Sequence, residues 1–223
     1  MSFDFVGPYL PTFIKSTLTT IEISFIALFF GFIIGLILCL AKMSKNGIFK
    51  ALSTLYIEVI RDTPLLVQLS IIYYGLPQVG INFPSLFGIP SDFIAGAFAL
   101  SINSGAYVAE IMRSGIQSVD KGQMEASRSL GLSYWATMRH VIVPQAVKNI
   151  LPSLANEFVS LVKESAILSF IGVIDIMFTA NTVKNATYDS FGPYLFAAAI
   201  YFVLTFTLSK LVGLLEKKMA ASN

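Results

Sequence analysis

Residues 120–144 read DKGQMEASRSLGLSYWATMRHVIVP, and this stretch decides how the rest of the chain is arranged. It is the longest polar interval in a mostly apolar sequence. It carries Lys121, Arg128, Arg139 and the only histidine, His140, between two strongly apolar segments. Asp120 with Gln123 at N3 has the form of a capping box, which predicts a short helix through Met124 to Leu130. Gly131 stands where a C′ residue would end that helix in a left-handed conformation. Ser133 then caps a second amphipathic helix over residues 134–143, and Pro144 restarts the chain as the first residue of the next helix. The expectation is a helix–Gly–helix elbow held outside the bilayer, a compact loop suited to docking another protein.

The chain around it has 223 residues, 55% apolar and only 13% charged, with a mean hydropathy of +0.74. A soluble domain averages about 25% charged residues, so the composition is that of a membrane protein. Spans need about 20 apolar residues each. The sequence predicts five, near residues 18–41, 54–79, 92–115, 145–174 and 194–215, in an all-α polytopic transmembrane bundle forming a single domain over residues 1–223. The first 16 residues read as a short aromatic interfacial segment. Residues 80–91 read as a loop and 175–190 as polar chain outside the membrane, in part a short surface helix. Gly7-Pro8-Tyr9-Leu10 recurs as Gly192-Pro193-Tyr194-Leu195, each time opening an apolar segment at headgroup level. Gly31 and Gly35 form a GxxxG pattern, which either permits a close helix contact or is merely tolerated facing lipid. Cys39 is alone, so neither a disulfide framework nor a metal cluster is expected. The N-terminus lacks a basic n-region and a cleavage site, so no signal peptide is expected.

Orientation comes from the basic residues. Lys42, Lys45, Lys50, Lys121, Arg128, Arg139, Lys148, Lys217 and Lys218 fall on one side of such a topology, Lys15 and Lys184 on the other. The positive-inside rule therefore places the elbow and the C-terminus in the cytoplasm and the N-terminus outside.

Polar groups inside the spans point to a pathway. At 100° per residue, Asn149, Ser153, Asn156, Glu157, Ser160, Lys163 and Glu164 fall within an arc of about 120° on the fourth span. A charge at the bilayer centre costs at least ~2.5–3.5 kcal/mol, so several on one face imply a wet or protein-lined path. The third span offers Gly96, Asn103, Tyr107, Glu110 and Ser114 at helical spacing as the opposing wall. Such a mixture suits a zwitterion: Glu157 and Glu164 accept from an ammonium, while Lys163, Asn103 and Tyr107 donate to a carboxylate. The purely structural reading is that Lys163 and the glutamates pair with one another or with Arg61. Glu58, Arg61 and Pro64, early in the second span, read as a gate or helix anchor, because Pro64 frees a carbonyl in the preceding turn.

Glu125-Ala126-Ser127, Gly131 and Val141-Ile142-Val143-Pro144 resemble the EAA loop of ABC importer permeases, with Ser127 where the family usually has Ala. The runs from Tyr56 to Gln68 and from Ala106 to Ile111, together with Asn156-Glu157 and Lys163-Glu164-Ser165, are similar to the polar amino acid uptake branch. That resemblance implies a permease subunit of the bacterial cytoplasmic (inner) membrane. Glu125, Ala126, Ser127, Arg128, Gly131 and Pro144 would then form the coupling element that docks a pair of ATP-binding subunits. A second permease subunit, identical or related, would complete the pathway, and an extracytoplasmic substrate-binding protein would deliver a polar amino acid. The chain has no GxxxxGK[ST], HExxH, GxSxG or CxxC arrangement, so it is expected to be no enzyme, with ATP hydrolysis on a partner. No cofactor, metal or nucleic acid is expected. The alternative reading is an ATP-independent secondary transporter or channel using the same intramembrane charges; it leaves the elbow without a purpose.

Overall fold

In a computed structural model, residues 3–220 are described, and helix is the only regular structure they form apart from one isolated bridge, Leu86 to Ile89. α1 (Val6–Lys42) is one helix that takes in most of the segment expected to be a separate interfacial piece. Pro11 lies inside it and removes a ladder bond. The N-terminal turns hold nonetheless because Phe5 and Phe13 are buried, each edge-on to Phe196 with ring centroids 6.1 and 5.0 Å away.

α2 (Gly47–Arg61) is capped by Asn46, whose side chain accepts from the Ile48 N–H at 2.9 Å. The continuous second span expected over residues 54–79 is not formed. The chain breaks at Asp62–Pro64 and resumes as α3 (Leu65–Ser70), which runs into a π-helical turn (Ile71–Gly75) and a 3-10 turn (Leu76–Val79). Pro64 causes the break: it lacks an N–H and keeps Thr63 out of the α region, so the helix must start again after it.

α4 (Ser91–Gln117) runs parallel to α1 and packs on it closely. A Cβ on Gly31 would lie 2.9 Å from the Ser104 side chain, and one on Gly35 only 2.6 Å from Val108 Cγ1. The GxxxG pattern is therefore a helix contact. Leu100, Ala106 and Val108 are fully buried along it.

α5 (Lys121–Ser129) and α6 (Tyr134–Thr137) make the elbow, and α7 (Val143–Glu164) follows. Pro144 falls in the first turn of α7, one position from the expected start, but the chain does not break before it. A π-helical turn over Met138–Ile142 joins α6 to α7, with the Val143 N–H bonded to the Met138 carbonyl. The widened turn accommodates the missing N–H of Pro144 without a break.

A 3-10 stretch, Ser165–Ile171, extends α7 to Gly172, which ends it at φ +100. α8 (Ile176–Thr187) then turns off at 49°. A short helix was expected within residues 175–190, and α8 is that helix; one side of it, Ile176, Ala180 and Val183, is fully buried, packed with Phe13 and Ala197. Asp175 caps α8 by accepting from the Phe178 N–H at 2.7 Å, and Tyr201 donates to its other oxygen at 3.3 Å. α9 (Phe191–Ala220) closes the bundle. Tyr9 and Tyr194, from the repeated Gly-Pro-Tyr-Leu, meet in the same cluster.

Among the described residues, three helices are long and apolar enough to cross a membrane: Val6–Lys42, Ser91–Gln117 and Phe191–Leu214. The bent pair Tyr134–Ile171 and Ile176–Thr187 would make a fourth, and the apolar run Leu65–Val79 is shorter than a full span.

Candidate translocation face and docking elbow

α7 presents its polar residues on one side as the 3.6-residue period requires. Asn149, Ser153, Asn156 and Lys163 are exposed, and Glu157, Ser160 and Glu164 are partly buried. The contact from α4 comes from Ser104, which is fully buried and whose Oγ donates to Glu157 Oε1 at 2.8 Å. Lower on the same side Asn149 Nδ2 donates to Ser118 Oγ at 2.8 Å. Among the described residues no ion pair joins Lys163 to Glu157 or Glu164; the pairs formed are Lys42–Glu110 at 2.6 Å and Arg113–Glu110 at 2.7 Å. Ser153, Asn156 and Lys163 thus stand exposed on this face, while Glu157, Ser160 and Glu164 are partly covered.

Asn103 and Tyr107 face a different way from the one expected. Asn103, 4% exposed, donates through Nδ2 to Gln68 Oε1 at 3.0 Å. Gln68 Nε2 in turn donates to the carbonyl of Ile60 at 2.7 Å, the carbonyl of Thr63 at 3.1 Å and Thr63 Oγ1 at 2.9 Å. One amide thus satisfies the groups freed where Pro64 interrupts the helix. Arg61 lies over the Tyr107 ring, 5.3 Å from its centroid, rather than against Glu58, whose side chain is exposed. Asn103 and Tyr107 therefore brace the α2–α3 break. Glu110, expected on the pathway wall, ties the end of α1 to α4 through Lys42 and pairs with Arg113 within α4.

Ser104 and Gln68 are the residues that sequence reasoning passed over. Gln68 carried a signal, as a polar residue one helical turn after Pro64 in an apolar run. Ser104 carried none, because a serine in a helix interior has no characteristic pattern.

The elbow forms where its residues predict, although Asp120 caps α5 through the N2 amide of Gly122 rather than in the expected capping box with Gln123 at N3. Asp120 accepts from the Gly122 N–H at 2.7 Å. At the other end Gly131, φ +86, donates to the Arg128 carbonyl at 3.0 Å while Leu132 donates to that of Ser127 at 3.2 Å, the pair of bonds of a Schellman cap. Ser133 caps α6 by accepting from Ala136 at 3.2 Å. Arg128 Nη1 donates to the Leu132 carbonyl at 2.8 Å, closing the turn from the side. Beneath it Met124 and Met138 pack on Val119, Ile142 and Ala146, so the elbow is held firmly to α7. Glu125, Ala126 and Arg128 are exposed while Ser127 faces inward. Leu130 and Trp135 stand out at 82% and 78% exposure, an apolar patch that no site reasoning had singled out.

A bundle of apolar helices with a charged face left open, and a rigid elbow carrying exposed apolar residues, has the form of a membrane component that works within a larger transport assembly. The chain belongs to the family of binding-protein-dependent transport system inner membrane components, which matches residues 27–221. It is 46% identical over 207 residues, 92% of each chain, to the putative glutamine transport system permease protein of Rickettsia conorii. It is 39% identical over 226 residues, 100% of each chain, to the arginine transport system permease protein of Bacillus subtilis. Among solved structures, that of an amino acid ABC transporter with histidines superposes with a TM-score of 0.92 at 50% identity, covering 98% of this chain and 99% of that one. A methionine ABC transporter in an inward-facing conformation superposes with a TM-score of 0.76 at 17% identity over 98% of this chain and 99% of its own, and shows the fold alone. The chain is accordingly a multi-pass permease component of the inner membrane.

Proposed function

We propose that this chain forms the translocation pathway of an ATP-driven importer for a polar amino acid. The observation that carries the reading is the open polar face of α7. A helix bearing the exposed Asn156 and Lys163 beside the partly buried Glu157 and Glu164 cannot face hydrocarbon cheaply. It calls for a second permease subunit, identical or related, across a shared aqueous path. Glu157 and Glu164 accept from the ligand's ammonium there, and Lys163 and Ser160 donate to its carboxylate. Asn103, Tyr107, Glu58, Arg61 and Pro64 act from the side, as the anchor of a broken helix that shifts when the pathway opens.

The elbow of residues 120–144 docks a pair of ATP-binding subunits through Glu125, Ala126, Arg128 and the exposed Leu130 and Trp135. Ser127, Gly131 and Pro144 set its shape. Closure of the ATPases is transmitted through the packed methionines to α7, and access to the pathway alternates. A substrate-binding protein delivers the amino acid from the outer side, with the N-terminus outside and the elbow in the cytoplasm. All 223 residues work as one domain. The relatives named for glutamine and arginine transport support the substrate class.

The test is uptake of labelled polar amino acids into proteoliposomes holding the permease with its co-purified ATPase and binding protein. Uptake that requires ATP inside and the binding protein outside is expected. Uptake by the permease alone, without ATP, would make it a secondary transporter or channel.

A further inference from the structure

Among the described residues only two that are not glycine hold a positive φ, Phe87 at +53 and Tyr188 at +54. Both are aromatic, and both stand fully in solvent, at 101% and 96% exposure. Gly88 follows Phe87 at φ +79, and Leu86 and Ile89 close the turn by exchanging both backbone hydrogen bonds, at 3.2 and 2.8 Å. Two successive positive φ values mark a type I′ turn, whose first central position favours Asn, Asp or Gly. Tyr188 ends α8 in the left-handed conformation that Gly or Asn usually supplies there. A bulky side chain is an outlier in that region, and strain of this kind collects at functional positions.

Both tips lie at the outer end of the bundle. Gly88 borders a cavity that Pro11 and Thr12 of α1 also line, so Phe87 stands near the level of Thr12. At the start of α8, Ile176 donates its N–H to Thr20 Oγ1 at 3.4 Å, and Val183 further along lies in the cluster of Phe5 and Phe13. α8 therefore climbs back along α1. Its 12 residues rise about 18 Å, which puts Tyr188 near the level of Pro8. From Lys42 to Thr12 is about 45 Å of helix, or about 42 Å at a tilt of about 20°. From the inner edge of the hydrocarbon to the outer edge of the headgroups is only about 35–38 Å. With Lys42 at the inner edge, the two rings stand in water beyond the headgroups, too far out to anchor in the bilayer.

We propose that Phe87 and Tyr188 dock the soluble binding protein that delivers the substrate, each ring entering an apolar recess on that protein's surface. Residues 79–91 hold no charged side chain. The charges beside Tyr188 are engaged within the chain: Asp189 accepts from the Phe191 N–H at 3.0 Å, and Lys184 lies over the Tyr194 ring, 5.7 Å from its centroid. Contact at both tips therefore comes from burying aromatic surface rather than from ion pairs. An aromatic ring brings a large contact area at little cost in freedom, and a ring held on a closed turn is already positioned for the partner. The assignment rests on the importer reading, in which a binding protein arrives from the outer side.

Substitutions that suit the turns better than the native residues separate docking from folding. Phe87→Asn and Tyr188→Gly each remove a ring and relax a left-handed residue, so the melting temperature should hold or rise. The affinity of the binding protein for the importer complex in lipid nanodiscs should nonetheless fall by about tenfold or more for each. Stimulated ATP hydrolysis should fall at limiting binding protein and return when it is raised to saturation. Wild-type affinity in either variant overturns the proposal and leaves the importer reading standing; no binding by the wild-type complex overturns both. Ser85→Cys in a Cys39→Ala background, two residues from the tip, should react with an impermeant thiol reagent in the nanodisc and be shielded once the binding protein is added. Failure to react in its absence would place the tip in the bilayer and overturn the proposal. Efficient disulfide cross-linking of two copies through the same cysteine would put a second permease on the tip and overturn it too.

Discussion

Glu157 and Gly35 show how differently single residues act in this bundle. Glu157 meets Ser104 at 2.8 Å and is partly buried on the polar side of α7. If it holds the substrate's ammonium, Glu157→Gln keeps the shape and removes the charge. A charge-assisted hydrogen bond is worth ~1.5–3 kcal/mol, so uptake should fall by roughly one to two decades with little change in melting temperature. If it neutralises Lys163 instead, the same change strands an ammonium, and adding Lys163→Met restores stability and uptake together. Uptake and melting measured on the single and double variants separate the two. Gly35 acts through volume alone. Its missing Cβ would sit 2.9 Å from the backbone nitrogen of Ala109, which cannot move aside as a side chain can. Gly35→Ala should therefore destabilise by about 1–3 kcal/mol, read as a lower melting temperature. Gly213, with open space where its Cβ would go, should accept Ala without loss.

Two elements carry the mechanical interest, the broken helix and the elbow. Gln68 satisfies carbonyls on both sides of the break and is held by Asn103. Gln68→Leu orphans those carbonyls and the Asn103 amide at once, at about 1–3 kcal/mol for each group left buried and unmet. Asn103→Leu in the same background should recover part of the loss; a double variant no more stable than Gln68→Leu would mean that the two side chains are not coupled. At the elbow, Gly131 alone has the φ of +86 that the cap demands. Gly131→Val strains that turn and should leave membrane insertion intact while abolishing receptor-stimulated ATP hydrolysis. Full stimulation in the purified variant complex would show that the elbow does not transmit ATPase closure.

At the scale of the molecule the questions are which way the chain lies and what covers α7. In a Cys39→Ala background, Ser85→Cys should react with an impermeant thiol reagent in intact cells and Ser44→Cys should not. Reaction at position 44 would reverse the orientation. Asn156→Cys, exposed on the polar face, should cross-link two permease subunits in the assembled importer if that face lines a shared pathway. Its labelling by a lipid-soluble reagent instead would mean that the face meets bilayer. Ser222, at the expected cytoplasmic end, lies outside the described residues.

Local signals alone determined a good deal of this protein. Hydropathy marked the apolar segments; the cap of Asp120, the left-handed Gly131 and the cap of Ser133 defined the elbow, because each depends only on neighbours within one turn. The period of α7 put its polar residues on one face for the same reason. What the rest of the chain does to a helix was decided only in three dimensions. Whether Gly31 and Gly35 meet a neighbour depended on α4 arriving with Ser104 and Val108 at their level. Asn103 turned to Gln68 because Pro64 had opened carbonyls there that only a side chain from another helix could reach. Pro11, by contrast, did not stop α1, since Phe5 and Phe13 gain burial against α8 and α9 that outweighs one missing ladder bond. Residues 175–187, polar enough to be read as solvent-facing, became a buried-sided helix because Asp175 finds Tyr201. A proline or a carboxylate announces its cost within its own turn, but the group that offsets it comes from another part of the chain.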